Sequence, residues 1–178
     1  IDLRKSVGLD GGTTRPIHEL RRILPYRKCR LDGWCAIHQK RCPLVSCDKH
    51  SAGTPCVDDS KLGLRRGNDG PMRVVLLVFV MMRRTLQEPI VKLENVIEMD
   101  PKELMQYLDD IYIVLVLLTD PVRTGWAWRR ERQCLILLRR TWIYPILLNH
   151  GHSEVNDTAV TKHFNFQNTF DKLFARRC

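Results

Sequence analysis

The sequence predicts an α/β protein in which helices flank a mostly parallel sheet. Apolar stretches in the middle of the chain fit alternating helices and strands, and turn residues separate them. Hydrophobic residues make up 44% of the 178 residues, which is enough for a buried core and argues against general disorder. The longest apolar runs, 74–82 and 111–118, are much shorter than the roughly 20 residues that span a bilayer. We therefore expect both runs to be buried elements of a core, with no membrane span.

The first predicted element of this middle region is a helix that begins at Pro71 and ends near Gln87. Proline suits the first turn of a helix because the N–H that it lacks would have no partner there. Arg83 and Arg84 suit the last turn. The next segment, 89–93, is short, β-branched and begins with proline, so it is predicted to be a strand.

Asp100 and Pro101 predict the start of a second helix, which covers residues 102–110. Its apolar side chains recur at helical spacing: Leu104, Met105 and Leu108. Residues 111–118 form a continuous apolar run, typical of a strand that is covered on both faces, and 132–139 contain another such strand. The order helix, strand, helix, strand, strand favours a parallel sheet.

Three segments differ in composition. Residues 1–46 are rich in Cys and basic residues and are predicted to be irregular. Residues 47–148 carry most of the apolar content and are expected to form the α/β core, and 149–178 are a polar tail with late aromatic residues.

The charge and the cysteines indicate a partner and a compartment. Lys and Arg number 29 against 20 Asp and Glu, and the formal net charge of +9 favours a polyanionic partner, nucleic acid first. Seven cysteines are an odd number, and the N-terminus lacks the apolar stretch of a signal peptide. A reducing compartment, nuclear or cytoplasmic, is therefore expected.

A Pro-Cys step lies within residues 52–60 and follows a predicted strand. This order places the Cys56 thiol on a rigid loop at the carboxyl edge of the sheet, where ligands bind in open α/β folds. A thiol there can act as a nucleophile if nearby positive charge lowers its pKa. Basic residues close in sequence could supply that charge: Lys49, His50, Lys61, Arg65 and Arg66.

Further motifs follow the Pro-Cys loop in a set order. They are a Gly-rich arm at 63–71, a stretch at 89–96 that ends in Glu-Asn-Val, and a basic segment at 125–132. In order and spacing the set resembles the cytosine-5 DNA methyltransferase family, which has a Pro-Cys loop, a Gly-rich arm, a strand ending in Glu-Asn-Val and a Gln-x-Arg-x-Arg segment. The resemblance covers residues 47–140 and implies an incomplete or divergent methyltransferase domain with a Rossmann-like fold.

The resemblance implies a role for each motif. Cys56 would attack carbon 6 of a flipped cytosine, Glu94 would protonate ring nitrogen 3, and Arg130 would support the base and the Cys-linked intermediate. S-adenosylmethionine would then donate a methyl group to carbon 5 of that cytosine in DNA. The remaining site residues would be Pro55, Ser60, Asn95 and Arg132 for the substrate and Asp48 for the cofactor.

The sequence departs from the family pattern at several positions. Asp59 stands where the family usually has an aromatic residue, and Trp128 stands in place of the Gln of the basic segment. The family's Phe-x-Gly-x-Gly cofactor loop is not found, since the Gly-rich stretch at 8–12 has no apolar strand before it. These departures fall beside the expected base pocket and at the expected cofactor loop.

Two other functions remain open from the sequence. A basic nucleic-acid-binding module without catalysis is one, and zinc could stabilise it, because Cys and His cluster near the front at Cys29, Cys35, His38, Cys42, Cys47 and His50. No paired Cys-x-x-Cys motif is present, so these cysteines could equally be free thiols, and no metal ligand is assigned. A hydrolase that pairs Cys56 with His50 is the third possibility.

Overall fold

The computed structural model describes residues 17–60, 63, 70, 73–124 and 127–164. The helices are α1 (Ile17–Ile23), α2 (Arg73–Leu86), α3 (Pro101–Leu108), α4 (Arg140–Asn149) and α5 (Asp157–His163). The strands are β1 (Asp32–Cys35), β2 (Lys40–Pro43), β3 (Lys49–Gly53), β4 (Ile90–Asn95), β5 (Tyr112–Thr119) and β6 (Arg132–Arg139). Short 3₁₀ turns follow α1 at Leu24–Tyr26 and β5 at Pro121–Thr124.

The main sheet has four strands in the order β3-β4-β6-β5, and β1 and β2 form a separate hairpin. Only β3 and β4 are parallel, because α2 carries the chain back between them. Strand β6 is antiparallel to both of its neighbours, β4 and β5. The expectation of a mostly parallel sheet is therefore wrong. No long helix separates β5 from β6, so the chain reverses and β6 returns between β4 and β5.

Side chains alternate between two covered faces of this sheet. On one face, β4 and β6 pack apolar side chains against α1, α2 and α3, among them Val91, Leu93, Leu135 and Leu137. On the other face, Ile113, Leu115 and Leu138 pack against α4 and α5. The described chain is thus a mixed α/β structure with helices on both sides of a four-stranded sheet, and it is not a complete Rossmann fold.

The predicted elements of the middle region are confirmed in type and order. The second helix begins as expected, because the Asp100 carboxylate accepts a hydrogen bond from the Lys102 N–H at 2.9 Å and Pro101 occupies the first turn. Strand β5 is covered on both faces only in its first half, whereas Val116 and Leu118 are exposed. β5 is an edge strand of the sheet.

The described part of the front segment is not irregular. It contains α1 and the β1–β2 hairpin, and two leucines of this region, Leu20 and Leu24, are buried in the core beneath α2. Other expectations lie outside the described residues: the Gly-rich stretch at 8–12, most of the arm at 63–71 with Pro71, and the end of the tail from 165 onward. No helix in the described part of the chain is long and apolar enough to cross a membrane.

Candidate functional site

Three segments with polar side chains meet at one edge of the main sheet. Strand β3 ends at Gly53 directly beside Glu94 near the end of β4, because these two strands run parallel in register. The antiparallel strand β6 begins at the same edge, where Gln133 pairs with Asn95. The Pro-Cys loop, the segment after β4 and the basic segment before β6 are therefore brought together by the strand pairing.

A cleft of about 730 Å³ opens at this edge. Its lining comes from all three segments and consists of Cys56, Ser60, Val96, Ile97, Glu98, Trp128, Arg129, Arg130, Glu131 and Arg132. The volume falls within the range of about 300–1,000 Å³ in which proteins bind small molecules or single nucleotides. Four residues expected at the site from the sequence, Cys56, Ser60, Arg130 and Arg132, therefore line one cleft.

Cys56 opens a tight turn immediately after the strand. The N–H groups of Asp59 and Ser60 both donate to the Cys56 carbonyl, at 3.1 and 2.7 Å. Gly63 packs so closely on this turn that a Cβ atom there would collide with the Val57 carbonyl, so only glycine fits. The turn holds the partly exposed Cys56 side chain at the wall of the cleft.

Asn95 links the end of β4 to the Pro-Cys loop. Its side chain is buried, and its amide donates to the Thr54 hydroxyl at 2.7 Å while its carbonyl oxygen accepts from the Val96 N–H at 2.7 Å. It does not line the cleft. The sequence predicts that Asn95 contacts the substrate, whereas in the structure its side chain holds the Pro-Cys loop.

We expect Asn95→Ala to lower the free energy of unfolding by about 1–3 kcal/mol, because the Thr54 hydroxyl and the Val96 N–H would lose a buried partner. Urea denaturation measures the change. The control is Asn149→Ala at the exposed end of α4, which should stay within about 0.5 kcal/mol of the wild type. Equal stability of the two variants would show that the Asn95 side chain does not stabilise the connection between β4 and the Pro-Cys loop.

A buried ion-pair network anchors the other side of the Pro-Cys turn. The Arg73 guanidinium at the start of α2 contacts the Asp59 carboxylate at 3.1 Å and the Glu103 carboxylate at 3.0 Å, and Arg21 of α1 contacts Glu103 at 3.0 Å. The side chains of Asp59, Arg73 and Glu103 are 3–6% exposed. Asp59, which replaces the aromatic residue usual in the family, thus ties the turn to two helices.

The charged groups of the cleft are arranged around its arginines. Arg132 binds the Glu94 carboxylate at 2.9 Å, so Glu94 adjoins the cleft through a residue that lines it. Arg129 pairs with Glu131 at 2.6 Å and Asp120 at 3.4 Å. The Arg130 guanidinium has no ion-pair partner within the part of the chain that the structure describes, so its charge is available to a ligand.

Two further residues, Gln133 and Glu98, contribute to this cleft although no sequence motif predicts them. Gln133 is buried, and its amide donates to the Val96 carbonyl at 2.9 Å and to the Met99 carbonyl, which fixes the segment after β4. Glu98 of that segment lines the cleft. Gln133 is a polar residue near the start of an otherwise apolar strand, which is only a weak indication of a functional role. The spacing of residues along the chain predicts neither the hydrogen bonds of Gln133 nor the position of Glu98 in the cleft.

The structure separates several other expected residues from the cleft. Asp48, the residue that the sequence predicts for the cofactor, is exposed, precedes β3 at the amino edge of the sheet and does not line the cleft. His50 also lies near the amino end of β3, where its ring nitrogen is within 4.8 Å of the Cys47 sulfur and a Glu88 oxygen. Burial lowers the pKa of His50. This position argues against a Cys56–His50 hydrolase pair.

The positive charge in the cleft that Cys56 lines comes from the later basic segment, through Arg129, Arg130 and Arg132. The basic residues that the sequence predicts for this role are closer to Cys56 along the chain. Of those, Lys49 lies at the amino end of β3, and Lys61, Arg65 and Arg66 are outside the described residues, as are Gly125 and Trp126 of the basic segment.

Comparisons with known proteins give little further information. No protein-family model matches the chain, and no curated protein matches it. Among solved structures, the chain is similar to a candidate DNA modification methyltransferase encoded within an E. coli prophage, with 16% identity and a TM-score of 0.41. The likeness covers 65% of this chain and 30% of that protein, and at this TM-score it carries no argument about function.

Proposed function

We propose that this chain carries the base-activating half of a DNA cytosine-5 methyltransferase site, with Cys56 as the nucleophile. The observation that carries the proposal is the shared cleft: Cys56, Arg130 and Arg132 line it, and Arg132 holds Glu94 beside it. The order of motifs in the sequence supports the same assignment.

The chemistry requires a thiolate, an acid and a cation around one pyrimidine ring. The Cys56 sulfur would add to carbon 6 while the Glu94 carboxyl protonates nitrogen 3, so that the electron pair of the 5,6 double bond becomes available at carbon 5. Arg130 would stabilise the ring and the developing charge, and Arg132 would orient Glu94. Carbon 5 would then take a proton from water. Loss of its original hydrogen to water, departure of the Cys56 thiolate from carbon 6 and return of the nitrogen-3 proton to the Glu94 carboxylate would restore the aromatic ring.

The target base must leave the DNA duplex to reach this cleft. The reacting atoms of a stacked cytosine are inaccessible to a side chain at the sheet edge, so the nucleotide would be flipped into the cleft. The cleft arginines and the net charge of +9 would favour contacts with the DNA phosphates. Trp128, which is 54% exposed in the cleft wall, offers a flat apolar face against the base.

The residues that the structure describes do not fit an S-adenosylmethionine site of the kind that the resemblance implies. No glycine-rich loop follows a strand among them, and Asp48 lies at the wrong edge of the sheet. The cofactor would supply the methyl group for carbon 5. The steps proposed for this chain are limited to binding and activating the base.

An exchange experiment tests base activation without the cofactor. Reversible addition of Cys56 to carbon 6 allows carbon 5 to take a proton from water and then lose its original hydrogen. Duplex DNA that contains [5-³H]cytosine should therefore release tritium to water in the presence of the protein. The matched control is Glu94→Gln, which keeps the shape of the side chain but cannot supply the proton and should slow release by about 10²–10⁴-fold.

Two outcomes would contradict this proposal. DNA binding without any release of tritium would favour the non-catalytic nucleic-acid-binding module. Release that is unchanged in Glu94→Gln would show that exchange does not depend on the acid assigned here.

A further inference from the structure

We propose that the β1–β2 hairpin binds a zinc ion through the Cys35 and Cys42 sulfurs and the His38 ring. The nitrogen and the two sulfurs lie within 4.8 Å of one another, and the His38 Nδ1 is 3.2 Å from the Cys42 sulfur. Zinc–sulfur bonds of about 2.3 Å and zinc–nitrogen bonds of about 2.0 Å place tetrahedral ligands roughly 3.5–3.8 Å apart, so small side-chain rotations would complete the geometry.

The strand register explains why these side chains converge. Cys35 pairs with Lys40 and Gly33 pairs with Cys42, so the two cysteines are diagonal neighbours on one face of the hairpin. In the turn between the strands, Gln39 adopts a left-handed conformation with φ of 51°. The His38 ring, also in this turn, contacts the Cys42 sulfur.

The chemistry of these side chains also suits zinc. Two thiolates and one imidazole are ligands that zinc prefers, and the fourth tetrahedral position would be taken by water.

Apart from its strand hydrogen bonds and the ion pairs of Asp32 with Arg30 and Arg41, the hairpin has little to hold it together. An isolated two-stranded hairpin is at best marginally stable in water. None of the side chains at 32–43, all of which the structure describes, belongs to either core cluster, and Trp34 and Ile37 are 58% and 88% exposed. A bound metal that crosslinks the two strands and the turn would supply the missing stabilisation.

Metal analysis of the purified full chain tests the proposal. We expect one zinc per chain, and we expect Co²⁺ in its place to give the visible absorption of a tetrahedral site together with a sulfur-to-cobalt charge-transfer band. His38→Asn changes an exposed side chain, so the fold should persist. Zinc affinity should fall by more than about 100-fold, because loss of a hydrogen bond to a metal ligand typically costs about 10–100-fold and this variant loses the ligand itself. Cys42→Ser should have the same effect.

Two control variants distinguish this site from its neighbours. Cys29→Ser alters a thiol outside both Cys/His groups, and Cys47→Ser alters the group that contains His50 and Glu88, so both should retain zinc. Loss of zinc in Cys47→Ser with retention in His38→Asn and Cys42→Ser would overturn the assignment. So would a wild-type chain that binds neither zinc nor Co²⁺, or one in which Cys35 and Cys42 form a disulfide.

Discussion

Replacing Cys56 by serine is expected to abolish base activation, with tritium release from [5-³H]cytosine DNA reduced by at least about a thousandfold. A serine hydroxyl ionises far less readily than a thiol and is a much weaker nucleophile at neutral pH. The substitution keeps the size of the side chain at the cleft wall. DNA affinity, which depends on the cleft arginines, should therefore remain close to that of the wild type.

A control variant makes this result specific to Cys56. Cys47→Ser removes an exposed thiol at the other end of β3 and should leave tritium release unchanged. Full tritium release in Cys56→Ser, or a loss of release in Cys47→Ser as large as that in Cys56→Ser, would contradict the proposed mechanism.

Arg73→Met is expected to lower the free energy of unfolding by about 3–5 kcal/mol, a large part of the total stability of a domain. Arg73 is 5% exposed and neutralises two carboxylates, Asp59 and Glu103, that are themselves buried. Methionine fills similar space but leaves both carboxylates without this partner. Because Asp59 belongs to the Cys56 turn, base activation should fall along with stability.

The effect of Arg73→Met should also depend on pH. Burial already raises the pKa of Glu103, and Arg73 opposes that shift. Without Arg73, the pKa in the folded state rises further above the unfolded value. The variant is therefore expected to be least unstable at low pH, where Glu103 is protonated, and to lose stability as the pH rises through the folded pKa.

Urea denaturation at several pH values checks both parts of this prediction. The matched control is Arg30→Met, which breaks an ion pair with Asp32 in which the arginine is 62% exposed, and which should cost no more than about 1 kcal/mol. Similar losses in the two variants would show that the Arg73 network does not anchor the turn.

Local patterns predicted the elements of the middle region correctly. The Asp-Pro start of α3 and the apolar run of β6 depend on neighbouring residues along the chain, so the sequence contains all the information that they need. The direction of β5 and β6 was predicted wrongly, because strand direction depends on how the connection between them folds. The hairpin in the front segment was missed because its short strands lack an apolar pattern.

In the candidate site too, the sequence predicts some features and the tertiary structure decides the others. The sequence alone determined which residue types could carry the chemistry, since Pro55-Cys56, Glu94 and Arg130 follow one another in a recognisable order. Only the tertiary structure decided that Cys56 and Arg130 share a cleft, that Arg132 holds Glu94, and that Asp48 and His50 lie elsewhere. Strand register brings together residues that are far apart in sequence, and a register is set by packing across the whole sheet, which no local motif records.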